Sequence, residues 1–274
     1  MSKRRAVGWV VFLALAAVFA WRVPGAAGAW YHSVGERHLA AGRYGEAERA
    51  FRRATRLRPS HARSYVDLGD ALLHEEKYAE AAEAFAKAVG VEEDSCAQCG
   101  LGAAHFRAGR YAEAERAFRR AVRLNPDDAC AHDWWGRMSY ELGSYEASAR
   151  SFEQVVRRHP GNVAALHYLA NSQTYAGDYE AAVGNYKRII KLRPDYEVAF
   201  YQLGVAYGYQ GRYGEAIGAY RRALALKPDD ARAHYGLGLA YCALGDRPAA
   251  LAQYEHLLTA DPDLAARLRG RIRE

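Results

Sequence analysis

Four cysteines in 274 residues are too few for a disulfide-dense scaffold. No cysteine precedes Cys96, which excludes a lipid-modified N-terminal cysteine. Eight prolines are too sparse for a collagen-like chain, and a 50% hydrophobic content is too high for charge-driven disorder. Acidic residues are absent before Trp30, whereas Lys3, Arg4, Arg5 and Arg22 all fall there. Setting those four aside from the 38 basic residues leaves 34 against 32 acidic ones, so the net charge of +6 is mostly an N-terminal property. So balanced a remainder argues against a nucleic-acid partner. There is no phosphate loop, no nucleophile elbow and no His-Glu-x-x-His, so the expectation is a protein that is not an enzyme, with no cofactor, metal or small-molecule substrate.

What is present begins with Lys3-Arg4-Arg5, followed by sixteen uncharged, mostly apolar residues from Ala6 to Trp21. Arg22, a Pro24-Gly25 break and Ala27-Gly28-Ala29 come next, so residues 1–29 have the parts of a signal peptide cleaved near Ala29. As a helix the apolar run spans about 24 Å, short of a hydrocarbon core of ~30 Å. Arg22 can snorkel and Val23 to Trp30 can extend the span, so an uncleaved signal-anchor fits equally well. In either form the basic flank stays in the cytoplasm, and the remainder is expected to be extracytoplasmic, membrane-anchored or released.

The remainder repeats itself. Pro126, Pro160, Pro194, Pro228 and Pro262 are each 34 residues apart, and Pro59 precedes Pro126 by 67. Gly35, Gly69, Gly102, Gly136, Gly204 and Gly238 form a second column, with Ala170 in the remaining slot. Ala47, Ala81, Ala114, Ala182, Ala216 and Ala250 form a third, broken by Ser148. Phe51, Phe85, Phe118, Phe152, Tyr186, Tyr220 and Tyr254 form a fourth. A small residue in mid-helix allows close helix approach, and an aromatic four residues after the Ala fills the space between units. Gly42-Arg43-Tyr44, Gly109-Arg110-Tyr111, Gly177-Asp178-Tyr179 and Gly211-Arg212-Tyr213 mark a turn between two helices. Proline stops the second helix, and Asp127-Asp128 and Asp229-Asp230 are placed to cap the next. Each unit is helix A, turn, helix B, and needs its neighbours to bury its apolar face.

These columns resemble the tetratricopeptide repeat (TPR) family. The repeats fall at about 28–61, 62–94, 95–128, 129–162, 163–196, 197–230 and 231–264, with 265–274 left as a partial capping helix. The resemblance implies an all-α protein, a right-handed α-solenoid superhelix of fourteen helices, that binds a protein or peptide in its concave groove. The family's Trp near the start of helix A is replaced by Tyr31, Tyr65, Gln98, His132, Leu166, Phe200 and His234. The second repeat is one residue short, with Glu93 in the proline's place. His32, Val66, Cys99, Asp133, His167, Tyr201 and Tyr235 hold the slot of the Lys that clamps a C-terminal carboxylate in some relatives, so that specificity is not expected.

Most of the 20 tyrosines belong to the scaffold: six at turns, three in the aromatic column, and Tyr207 and Tyr241 at a packing position of helix A. By the resemblance, Phe106, Arg107, Arg137, Tyr140, His167, Asn171, Tyr175, Tyr201, Tyr209 and Tyr235 share the groove face. Rigid aromatics with scattered hydrogen-bonding groups suit a peptide-binding surface. The paired arginines Arg52-Arg53, Arg119-Arg120, Arg157-Arg158 and Arg221-Arg222 are expected on a solvated face, with Glu48, Glu115 and Glu153 one helical turn before three of them. Cys96 and Cys99 open the third repeat's helix A as a CxxC, and Cys130 stands where Cys96 does one repeat later. A redox pair at Cys96 and Cys99 is the alternative function; three thiolates with His132 would suit zinc.

Overall fold

A computed structural model of the chain describes residues 24–273, which form fifteen α-helices and no strand. The chain divides into two compact units, the first ending at Trp134 and the second beginning at Trp135. The first unit holds α1 (Pro24–Ala40), α2 (Tyr44–Leu57), α3 (Ala62–His74), α4 (Tyr78–Val91), α5 (Ser95–Arg107) and α6 (Tyr111–Leu124). The division falls inside α7 (Ala129–Glu141). The second unit continues with α8 (Tyr145–Arg158), α9 (Val163–Ala176), α10 (Tyr179–Leu192) and α11 (Glu197–Tyr209). It ends with α12 (Tyr213–Leu226), α13 (Ala231–Ala243), α14 (Arg247–Ala260) and α15 (Pro262–Arg273). Consecutive helices pack in order from α1 to α6 and from α8 to α15, odd-numbered helices acting as helix A and even-numbered ones as helix B up to α14.

The aromatic column explains the stacking. Phe51, Phe85, Phe118, Phe152 and Tyr186 are fully buried. A Cβ on Gly35 would lie 2.5 Å from the Phe51 ring, and one on Gly102 would lie 2.5 Å from Phe118. In the second unit Gly136 and Gly204 stand in the same relation to Phe152 and Tyr220, at 2.8 and 2.7 Å. The ring thus occupies the volume that a side chain on helix A would need, which fixes how closely the helices approach. The last slot departs from the column. Gly238 faces Leu268 of α15, whose Cδ2 would be 2.5 Å from an added Cβ, while Tyr254 is only half-buried. The Ala265, Leu268 and Ile272 stripe of α15 is buried, and α15 packs against both α13 and α14. The segment expected as a partial capping helix over 265–274 is this fifteenth helix, which already begins at Pro262.

Helix boundaries follow local chemistry. Gly42, Gly109, Gly143, Gly177, Gly211 and Gly245 take φ between 70° and 86° at the turn, the left-handed geometry that glycine adopts without steric cost. Asp128 and Asp230 accept hydrogen bonds from the first free amides of α7 and α13, as expected of caps, and Asp94 does so for α5.

The Lys3 to Trp21 segment lies outside the described residues, and no described helix is long and apolar enough to cross a membrane. Helix α1 already begins at Pro24 and runs through Ala27-Gly28-Ala29. Ala27 is buried, and a Cβ on Gly28 would fall 2.5 Å from Arg58 Cγ, so this small-residue stretch is part of the packed first helix pair.

Candidate functional site

In the second unit the helix A residues build a tyrosine surface. Tyr140 meets Tyr145, Tyr168 and Tyr175 edge-to-face, with centroids 5.7, 5.6 and 6.1 Å apart. Burial pushes the Tyr140 phenol up to about 12, so it remains a donor at any physiological pH. Tyr168 stacks on Phe152 at 4.9 Å, and the Arg137 guanidinium lies 5.2 Å over the Tyr168 ring. Tyr175 and Tyr209 are 56% and 63% exposed, yet both are braced. Tyr175 stacks on Tyr145 at 4.9 Å and Tyr209 on Tyr179 at 5.2 Å, each time a turn tyrosine thirty residues earlier. Tyr145 and Tyr168 are surface members that the sequence reading left out. For Tyr145 the thirty-residue recurrence was the available signal, since Tyr44 and His74 obey it too.

The same face opens into a cavity of about 720 Å³, lined by Tyr201, Tyr209, Tyr213, Tyr235, Arg232 and Arg271, with Tyr220 and Gly236 also on its wall. Arg232 lies 5.1 Å over the Tyr201 ring and is held by Asp230 at 3.1 Å. Arg267 lies 5.4 Å over Tyr235. The wall therefore offers aromatic area beside guanidinium groups, a chemistry suited to apolar and carboxylate side chains together.

Other expected groove residues serve the scaffold. Asn171 is buried, and its Oδ1 accepts the Tyr186 hydroxyl at 2.6 Å. Its Nδ2 lies 3.4 Å from His167 Nε2, and burial lowers the His167 pKa, which keeps that imidazole neutral and able to accept. Phe106, only 7% exposed, packs between Tyr111 and Trp134 and is a core residue, not a groove contact. Arg107 donates to the Tyr78 hydroxyl at 2.8 Å, lying across that turn tyrosine.

The helix A residues of the first unit carry acids and thiols instead. Cys99, 2% exposed, has its Sγ 3.3 Å from Cys130 Sγ, so the close thiol pair joins two repeats and is not the CxxC. Burial, then the Asp94 charge, pushes the exposed Cys96 thiol up to about 11, outweighing any effect of its helix N-terminus. His132 Nε2 lies 2.9 Å from the Pro126 carbonyl, which orients the ring, and its Nδ1 is buried without a hydrogen-bond partner. Burial raises Asp67 and brings the half-buried Asp70 up to about 6. His32, Glu36 and Asp67 place one donor atom each within 4.8 Å of one another; Arg63 Nε holds Asp67 Oδ1 at 2.9 Å, and Asp67 Oδ2 faces His32 Nδ1 at 3.6 Å.

Tetratricopeptide repeat models match residues 35–98, 96–128 and 231–264, and a further TPR repeat model matches 170–211 and 207–245. Among solved structures, the chain is similar to the C-terminal part of a TPR repeat-containing protein from Cytophaga hutchinsonii (TM-score 0.67, 16% identity, covering 84% of this chain and 95% of that one). It is also similar to YrrB, described as a TPR protein with an unusual peptide-binding site (TM-score 0.62, 20% identity, 67% of this chain, 95% of that one). MamA is a third such structure (TM-score 0.56, 25% identity, 61% of this chain, 97% of that one). No curated protein matches the sequence.

Proposed function

From the premise that the chain is an array of tetratricopeptide repeats, we propose that it is a non-enzymatic scaffold that holds a partner polypeptide on the tyrosine face of its second unit. The cavity bounded by Tyr201, Tyr209, Tyr235 and Arg232 carries this reading. It is large enough for one or two side chains of an extended segment, and its rings are pre-positioned, so little entropy is lost on binding. The arginines favour a segment with a carboxylate next to an aromatic or aliphatic anchor. That YrrB is described by its peptide-binding site supports a peptide as the class of ligand.

Panning the purified array against a random peptide display library tests this. Enriched peptides should carry acidic residues beside an apolar anchor. Tyr209→Ala should weaken their binding by about 1–2 kcal/mol while leaving the melting temperature nearly unchanged. Arg232→Ala should select against the acidic position. Enrichment that survives both substitutions would move the binding face elsewhere.

The array is placed outside the cytoplasm by the Lys3-Arg4-Arg5 flank and the apolar run after it, which stays as an anchor. The packing of Ala27 and Gly28 supports retention over cleavage, because a cut after Ala29 would strip residues that pack against the second helix of the first pair. A reporter fused after Glu274 should be active only outside the cytoplasm, with intact mass in the membrane fraction. Cytoplasmic activity would reverse the topology, and a mass lacking residues 1–29 would replace the anchor with a cleaved signal.

A further inference from the structure

We propose that Cys99 and Cys130 close into a disulfide in the oxidised protein, a covalent staple between α5 and α7. The two Sγ atoms stand 3.3 Å apart, and a disulfide requires about 2.05 Å, so small side-chain rotations suffice. The partners are set by packing. Cys99 sits in a cluster with Ala121 and Ala131, flanked by Val122 and Trp134, which aims its sulfur at the first turn of α7. The sequence motif suggested a different pair, Cys96 with Cys99. In the structure it is Cys130, from the next repeat, that lies against Cys99.

The two thiols differ in access, and this assigns their roles. Cys130 is exposed and Cys99 is buried. The hydrogen bond with Cys99 lowers the Cys130 pKa, whereas that bond and then burial raise the Cys99 pKa. Cys130 is therefore the entering nucleophile. Its thiolate attacks one sulfur of a small disulfide such as oxidised glutathione, forming a mixed disulfide and releasing one glutathione thiolate. Cys99 then attacks Cys130 Sγ, its proton passing to the departing glutathione sulfur, which releases the second glutathione as a thiol. The two protein thiols give up two electrons and two protons, and the two glutathiones take up both. The product ties the helix A of one repeat to that of the next. Separation of neighbouring repeats is the least costly way for such an array to open, so this is where a cross-link holds most. The extracytoplasmic placement proposed above would supply an oxidising setting, but the chemistry rests on the thiol geometry alone.

Full-length protein in detergent is reduced, equilibrated with a glutathione couple of rising oxidised fraction, quenched with a thiol-alkylating mass tag and mapped by proteolysis. The expected result is a drop from four tags to two, with Cys96 and Cys242 still tagged and one peptide joining Cys99 to Cys130. Oxidation should raise the melting temperature by about 5 °C or more. Cys130→Ser, a change at an exposed position, should abolish the link and the shift, while Cys96→Ser should leave both intact. Four tags throughout, stable glutathione on Cys130 or a Cys96–Cys99 link would each overturn the proposal. None of these readouts depends on a peptide partner or on reporter topology.

Discussion

The helix A residues of the first unit include Asp67, Asp70, Cys96 and Cys99, and Cys130 opens α7; those of the second include Tyr168, Tyr175, Tyr201, Tyr209 and Tyr235. Beneath this difference the skeleton hardly changes. Both units set an aromatic ring against a mid-helix glycine, and both turn through a left-handed residue. The repeat columns thus fix how helices stack, and the residues between the columns are free to specialise. One unit holds buried acids and a thiol pair, and the other holds an aromatic surface with arginines. Removing what the units share should therefore cost much in both, whereas removing what distinguishes them should cost little and in only one.

The largest effect is expected from the shared element. Phe118→Ala in the first unit and Tyr186→Ala in the second each empty a fully buried ring site and should cost about 3–5 kcal/mol in chemical denaturation. A large loss in one unit only would mean that the two do not use one stacking principle. Tyr186→Phe sharpens the comparison. It removes only the hydroxyl bonded to Asn171, leaves that buried acceptor unpaired and should cost about 1–2 kcal/mol. Phe118 occupies its site without any such bond.

A smaller effect, specific to the first unit, comes from Asp70. Burial and then the nearby Asp67 charge bring its carboxyl up to about 6, against Arg63, which pulls the other way. Between the ordinary carboxyl range near 3.8 and about 6, the folded chain keeps a proton that the unfolded chain has lost. The stability contributed by that proton is complete at low pH and disappears as pH rises through about 6. Asp70→Asn should therefore change nothing near pH 4, gain steadily between, and stabilise by about 1–2 kcal/mol at pH 8. Thermal denaturation at three pH values reads this directly. An equal gain at all pH values would assign the effect to shape and not to charge.

What could be read from the sequence divides along the same line. The skeleton was legible because each column recurs at a near-constant spacing and each turn is a local event. Phe51 to Tyr220 were placed correctly by period alone. Tyr254 was not, because the ring column is read along helix B, and it is Leu268 of α15 that fills the slot against Gly238. The groove was less legible, because exposure depends on neighbouring helices. Period places Phe106 and Tyr209 on one face, yet Trp134 and Tyr111 cover the first and leave the second open. The thiol pairing was missed for a related reason. Cys96 and Cys99 are neighbours along one helix, while the contact that forms, Cys99 to Cys130, spans 31 residues and depends on helix packing.

The smallest expected effect tests the one turn that breaks the shared skeleton. Between α3 and α4 the left-handed position is held by Glu76 at φ 60°, where the other positive-φ turn residues are glycines. Its backbone bonds match those of the first turn: Glu76 N donates to Leu73 O and Lys77 N to Leu72 O, as Gly42 N donates to Leu39 O and Arg43 N to His38 O. The geometry is thus imposed by the repeat and not chosen by the residue. An L-residue there carries a steric cost of about 1–2 kcal/mol, offset in part because glycine makes the unfolded chain more flexible. Glu76 is exposed, so its side chain buries little area that a substitution would lose. Glu76→Gly should stabilise by roughly 0.5–1 kcal/mol, and Glu76→Ala should show no such gain because it keeps the Cβ that conflicts with the backbone. The reciprocal change, Gly42→Glu, should destabilise by about the same amount as Glu76→Gly stabilises. If Glu76→Gly is neutral while Gly42→Glu is costly, then the Glu76 side chain contributes to the turn in compensation, and the first unit differs from the second in its skeleton as well as in its face.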